Sequence, residues 1–195
     1  MTFAVNFAHP HITYAQLEAE LRRELSRRHG FYPRQVGKGA MLQADADREL
    51  ALCAAWLEDL LRARAIRVDR AAENWRRYRA GDMTAGDPPP AAHGLRWSDR
   101  RSAVLRELAL RQRVYPRGIE KGEITREDAA HRIDCLEALL GLYEDGWDWV
   151  ASNGYRPGFD DPAPTPAAIE ARGEWDEMRG LRAQRQPVEQ KEMFA

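Results

Sequence analysis

Two stretches of this chain, ELSRRHGFYPRQVGKG at residues 24–39 and ELALRQRVYPRGIEKG at residues 107–122, are one segment written twice. Extended outward at a constant offset of 83, residues 21–61 align with 104–144 without a gap and share 13 identities in 41 positions. Composition alone would give roughly two or three. Five further pairs, among them Phe31/Val114, Val36/Ile119 and Leu50/Ile133, are apolar in both copies. The repeat therefore preserves a buried pattern as well as a polar signature, and what is repeated is a structural unit.

Each copy reads as helix, turn, helix. Thr13 with Gln16 three residues on is a capping-box start, and Leu17, Leu21 and Leu25 line one face behind it. Gly30 and the Tyr32-Pro33 pair predict the helix end, because proline disfavours helical dihedrals at the residue before it. A loop through Lys38-Gly39 then leads to a second helix from about Ala44, with Leu50, Cys53, Leu57 and Leu60 on its stripe. In the second copy Ser98 is the expected cap, Tyr115-Pro116 the expected end, and Thr125 the cap of a helix carrying Ile133, Leu136, Leu140 and Tyr143. The second helix of the first copy runs on through Val68, Trp75 and Tyr78 to Gly81, which predicts a rod with a weak point at Ile66 and Val68.

The expected architecture is all-α: two related helical hairpins joined by a long helix and a Pro-rich spacer, plus a C-terminal helix. Residues 1–80 form the N-terminal hairpin with its extended helix, and 81–96, with Pro88 to Pro90, the linker. The second hairpin is expected at 97–146, and 147–195 adds an aromatic loop and the last helix.

Charged residues make up 31% of the chain, and no apolar run reaches the length of a membrane span. The first ten residues lack a secretory pattern, so an intracellular location is expected. Cys53 and Cys135 fall inside amphipathic helices, which suits reduced core thiols better than a disulfide. The net charge of −1 hides an imbalance. Residues 1–122 carry 22 Lys/Arg against 15 Asp/Glu, whereas 123–195 carry 8 against 16.

No phosphate-cradling glycine loop, His-Glu-x-x-His motif or zinc-spaced cysteine pair is present, so neither an enzyme nor a cofactor is expected. His9 and His11 could hold a metal only if the tertiary fold brought carboxylates to them. The repeated polar residues have two readings. Tyr32 and Tyr115 can close the turns over the core while Arg28 and Arg111 bond backbone or acids, with Glu24 and Glu107 pairing nearby arginines. Alternatively Arg23, Arg28, Arg34 and Lys38, with Arg106, Arg111, Arg117 and Lys121 and with Tyr115 beside them, form two like basic-aromatic patches that grip the phosphates of a partner. Arg76, Arg77 and Arg79 beside Trp75 and Tyr78 make a third candidate contact, and Trp147 and Trp149 a fourth.

Residues 106–140 resemble a segment of short uncharacterised proteins from tailed phages and prophages. Those proteins carry a helix ending in Val-Tyr-Pro, here Val114-Tyr115-Pro116, a Gly-containing turn, and a second helix beginning around Glu-x-Ala-Asp. The first copy departs at Gly30-Phe31, and the second has Ala130 where an acid is usual. The resemblance implies a viral or prophage origin and no particular chemistry. The function expected is therefore a non-enzymatic binding protein that occupies a surface of a host or viral protein, for example of a defence nuclease complex. A nucleic-acid-binding accessory of phage recombination or replication is the alternative, and a structural assembly component the third. The apolar stripe along the long helix predicts a homodimer.

Overall fold

The computed structural model describes residues 4, 5, 9–82, 85 and 91–144. Pro88 to Pro90, Trp147, Trp149 and the C-terminal helix expected after Thr165 lie outside the described residues.

Among the described residues the chain is all-α. Helices α1 (Tyr14–Gly37) and α2 (Gln43–Arg64) are followed by a π-helical turn (Ala65–Asp69) and a short α3 (Ala71–Arg79). Helices α4 (Trp97–Glu120) and α5 (Arg126–Glu144) complete the set. The bounds of α1 and α4, and the starts of α2 and α5, differ by the repeat offset of 83.

The turn motif does something other than stop the helix. Pro33 and Pro116 sit inside α1 and α4, each about a turn before its end, so the expected break at Tyr-Pro is corrected. Proline lacks its own N–H and its ring presses on the carbonyl four residues earlier, a local cost that each helix here bears about a turn before its exposed end. Arg34 Nε donates to the Gly30 carbonyl at 2.7 Å, serving one acceptor of this weakened turn. The stop is the repeated Lys-Gly. Gly39 and Gly122 adopt φ of +68° and +70°, the left-handed conformation that favours glycine. Gly39 N–H then donates to Val36 O at 2.9 Å and Ala40 N–H to Gln35 O at 2.9 Å, a Schellman closure. Gly122 and Glu123 repeat it onto Ile119 and Gly118.

At the starts, Thr13 and Gln16 form the expected capping box, and Thr125 Oγ1 accepts from Asp128 N–H at 3.0 Å. Ser98 is not the cap of α4. Arg96 holds that position, without a side-chain cap bond, and Ser98 is already helical.

The rod expected from Ala44 to Arg79 is interrupted. The backbone widens over Ala65–Asp69, where Arg70 N–H reaches back to Ala65 O at 3.0 Å, and the Asn74 side chain holds the Ile66 carbonyl at 3.0 Å. Beyond this point no residue of α3 is buried.

One apolar core joins both copies. Leu17, Leu21, Leu52, Trp56, Leu60, Leu136 and Leu139 are fully enclosed, each aliphatic side chain contributing about 1.5–3 kcal/mol by leaving water. Within it α1 packs along α2 and α4 along α5, while α1 also meets α5 and α2 meets α4. The C-terminal ends of α2 and α5 come together, since Tyr143 OH donates to Asp59 Oδ2 at 2.8 Å. Both Lys-Gly turns consequently lie at the opposite end. Cys53 and Cys135 are buried free thiols, and burial pushes them up to about 12 and about 11 respectively.

Candidate functional site

The middle of the molecule holds four charged side chains in a closed ring. Arg28 Nε donates to Glu24 Oε1 on its own helix at 2.6 Å, and Arg28 Nη2 to Glu107 Oε2 on α4 at 2.7 Å. Under the 83-residue offset the same contacts recur: Arg111 Nε to Glu107 Oε1 at 2.8 Å, and Arg111 Nη2 to Glu24 Oε2 at 3.0 Å. The third guanidinium nitrogens also match. Arg28 Nη1 reaches the Glu49 carbonyl at 3.4 Å, and Arg111 Nη1 the carbonyl of Arg132, the residue 83 positions on from Glu49, also at 3.4 Å.

Arg28 and Arg111 are each only 3% exposed, so their expected role in gripping a partner is corrected. Their guanidinium groups face inward carboxylates and carbonyls, and Arg28 also lies 5.2 Å from the centre of the Trp56 ring. Burial alone would raise the Glu24 pKa, but hydrogen bonds from Arg27 and Arg28 and the charges of Arg28 and Arg111 hold it at about 2. Arg28 is raised above its ordinary value, because the carboxylates outweigh the burial that would lower it. The ring is a fixed ionic lock between the copies.

A second buried cluster breaks the equivalence. Asp59 on α2 and Arg100 on α4 are both 0% exposed and ion-paired to each other. Asp59 Oδ1 also accepts from Arg62 Nη1 at 2.8 Å and lies 3.1 Å from His93 Nε2. Burial would raise the Asp59 pKa, but these donors together lower it. At the positions equivalent to Asp59 and Arg100 stand Leu142 and Leu17, both in the apolar core. Asp59, Arg100, His93 and Glu20, which accepts from Arg111 Nη1 at 2.9 Å, all escaped the sequence reading, and Tyr143 was read only as part of an apolar stripe. The signal existed in the repeat, because Asp59 and Arg100 each replace a leucine of the other copy.

The remaining candidates divide by position. Arg34, Lys38, Arg117 and Lys121 are exposed at the turn end, and Tyr115 is half-buried there. Lys121 lies 3.5 Å from Glu123, and Arg34 Nε bonds the Gly30 carbonyl of its own helix. Arg76, Arg77 and Arg79 are exposed on α3 at a distance from that end along the chain. There the Trp75 and Tyr78 rings stack at 5.8 Å with planes 11° apart, and the Arg79 guanidinium lies 5.0 Å from the centre of the Trp75 ring. Trp75 is 55% and Tyr78 49% exposed. Arg77 Nη2 donates to Asp82 Oδ2 at 2.7 Å, which holds the helix end. From Arg62 to Arg79 the chain carries seven arginines against Asp69 and Glu73. This arrangement can stack against a flat or apolar surface while pairing with acids around it.

At the N-terminal segment the fold supplies carboxylates to the histidine pair. His11 Nε2 lies 2.9 Å from Asp134 Oδ2 and His9 Nε2 3.7 Å from Glu137 Oε2, both acids on α5.

A scan against protein-family models finds no match, and neither curated proteins nor solved structures give one. No helix among the described residues is long and apolar enough to cross a membrane.

Proposed function

We propose that this chain is a non-enzymatic binding protein that docks on a protein partner through α3. The observation that carries the reading is the exposed Trp75–Tyr78–Arg79 stack on a helix without a buried residue. Large aromatic rings left in water lose the gain of burial, and Trp, Tyr and Arg are the residues that dominate contact energies once a partner covers them. The surrounding arginines favour an acidic target surface. The resemblance of residues 106–140 supports a phage or prophage origin, and with it a target in the cytoplasm of the bacterial host, such as a component of a defence complex. The test is affinity capture from host lysate with the natural chain and with Trp75→Ala/Arg76→Glu. A defined partner held by the first and lost by the second supports the reading. Equal capture by both removes α3 from it.

The near-coplanar stack favours one further reading, single-stranded nucleic acid, since bases can extend such a pile and arginines track the phosphates. Binding to an oligonucleotide that falls steeply with salt and vanishes in Trp75→Ala would select it. Light scattering at micromolar concentration reads whether a second copy of the chain takes the face instead and forms a homodimer.

A further inference from the structure

We infer that His9 and His11, with Asp134 and Glu137 of α5, form a binding site for a divalent transition-metal ion of the zinc type. The donors come from two elements that the fold holds together. The first is a tight turn, His9-Pro10-His11-Ile12, closed by Ile12 N–H donating to His9 O at 3.0 Å. Proline at its second position presets the turn dihedral. The turn is tied down on both sides. Ile12 is enclosed in the core, Val5 beside it is buried, and Val5 N–H donates to Ile12 O at 2.9 Å. The second element is the face of α5 on which Asp134 and Glu137 stand three residues apart, the spacing that sets side chains one above the other.

The donor atoms already converge. One ligand atom from each of His9, His11 and Asp134 lies within 4.8 Å of the others, and the His9 and His11 rings are 6.1 Å apart, edge to face. A tetrahedral ion with bonds of about 2.0–2.2 Å needs donors about 3.4 Å apart. His11 Nε2 and Asp134 Oδ2, in hydrogen-bond contact at 2.9 Å, would part by about 0.5 Å, and no pair of the three need close by more than about 1.4 Å. Two imidazole nitrogens with one or two carboxylate oxygens suit zinc, cobalt or nickel better than magnesium or calcium, which take oxygen sets. A bound ion would cross-link the N-terminal segment to α5, so its role is to brace the arm and not to run chemistry. The inference is independent of α3 and its partner.

The experiment uses the full chain, stripped with a chelator and dialysed, and titrates Zn²⁺ by calorimetry and Co²⁺ by visible absorption. The expected result is one saturable ion per chain, a visible cobalt spectrum with nitrogen and oxygen ligation, and a melting temperature that rises with Zn²⁺ concentration. His11→Ala and Asp134→Asn should each weaken binding at least about tenfold. Both side chains are solvent-accessible, and metal-free melting of each variant at the natural temperature shows that the fold is intact. His29→Ala, an exposed histidine elsewhere, should change nothing. The inference is overturned if no saturable site appears, or if both ligand variants keep the natural affinity. It is equally overturned if His131→Ala alone removes binding, which would move the ion to His131 and Cys135, 3.7 Å apart on α5.

Discussion

Arg28 and Glu107, 79 residues apart in the chain, meet at 2.7 Å in the interior, and their counterparts Arg111 and Glu24 meet at 3.0 Å. Each arginine also holds the glutamate one turn earlier on its own helix, so every member of the ring has two partners inside it. Such a ring contributes little net stability compared with an apolar core, because four charges have lost their water. What it does contribute is register: a slide of one helix past the other would separate every pair.

Removing a matched pair should therefore cost less than the two separate removals together. Arg28→Met leaves Glu107 with one buried partner fewer and should destabilise by about 3–5 kcal/mol. In Arg28→Met/Glu107→Leu the remaining Arg111 and Glu24 still face each other, and the loss should be smaller than the sum of the two single losses. Urea unfolding of the four species measures the coupling. Additive losses would refute the lock.

Asp59 offers a sharper form of the same test. Asp59→Leu strands Arg100, which is fully buried, and should cost about 3–5 kcal/mol. Asp59→Leu/Arg100→Leu installs the leucines that the other copy carries at the equivalent positions, Leu142 and Leu17, and should recover a large part of the loss. A double variant less stable than the single one, by thermal or urea unfolding, would show that the two sites are not equivalent in packing.

Acid should unlock the ring. Glu24 is held at about 2, below the ordinary glutamate value of about 4.3, so the unfolded chain takes up protons first as pH falls. The stabilisation is complete above pH about 4.5 and disappears as pH drops from there through 2. Its size is about 3 kcal/mol. Asp59, also lowered, acts with the same sign. Far-UV circular dichroism across pH 7 to 2 should show the loss, and Glu24→Gln should flatten the acid limb. An equally steep limb in that variant would assign acid sensitivity to other carboxylates.

The glycine stops should respond as a matched pair. Gly39 and Gly122 have open space where a Cβ would go, so alanine costs only the left-handed backbone, about 1–2 kcal/mol at each. The double variant should lose the sum, since the turns close separate helices. No loss at either would mean the turns can rewind without their Schellman closure.

On α3 stability and binding should part company. Trp75→Ala and Tyr78→Ala should leave the unfolding free energy within about 0.5 kcal/mol of its natural value while abolishing partner capture. A large drop in stability would place these rings in a packing role.

The sequence made the helices legible because their apolar stripes repeat at 83 residues, and Thr13 and Thr125 marked two starts correctly. It misplaced both ends of the Tyr-Pro segment for a local reason. Proline near an exposed helix end is tolerated, whereas a positive-φ glycine closed by two backbone bonds terminates the helix decisively, and the repeated Lys-Gly was that signal. Glu24 and Glu107 were recognised as ion-pair partners. That the pairs lie across the molecule, burying Arg28 and Arg111, was not readable from either copy alone, because helical spacing reports neighbours on one helix and not which face another helix covers. The convergence of His9 and His11 on Asp134 had the same obstacle, 123 residues of separation between His11 and Asp134.

The buried Asp59–Arg100 pair decides which halves can mate. Two first copies brought together in the same arrangement would set each Asp59 against Leu17, leaving the buried carboxylate with Arg62 of its own helix and without Arg100, His93 or Tyr143. Two second copies would likewise seal Arg100 against Leu142. Only the mixed union sets Asp59 and Arg100 against each other, so fragments of a chain cut between Asp82 and Ala91 should prefer each other to their own kind. The ring of Arg28, Glu107, Arg111 and Glu24 keeps its four members in either choice, although Glu20, which also serves Arg111, has Ala103 as its counterpart. One ionic cluster thus supplies the common grip, and the other supplies the sorting.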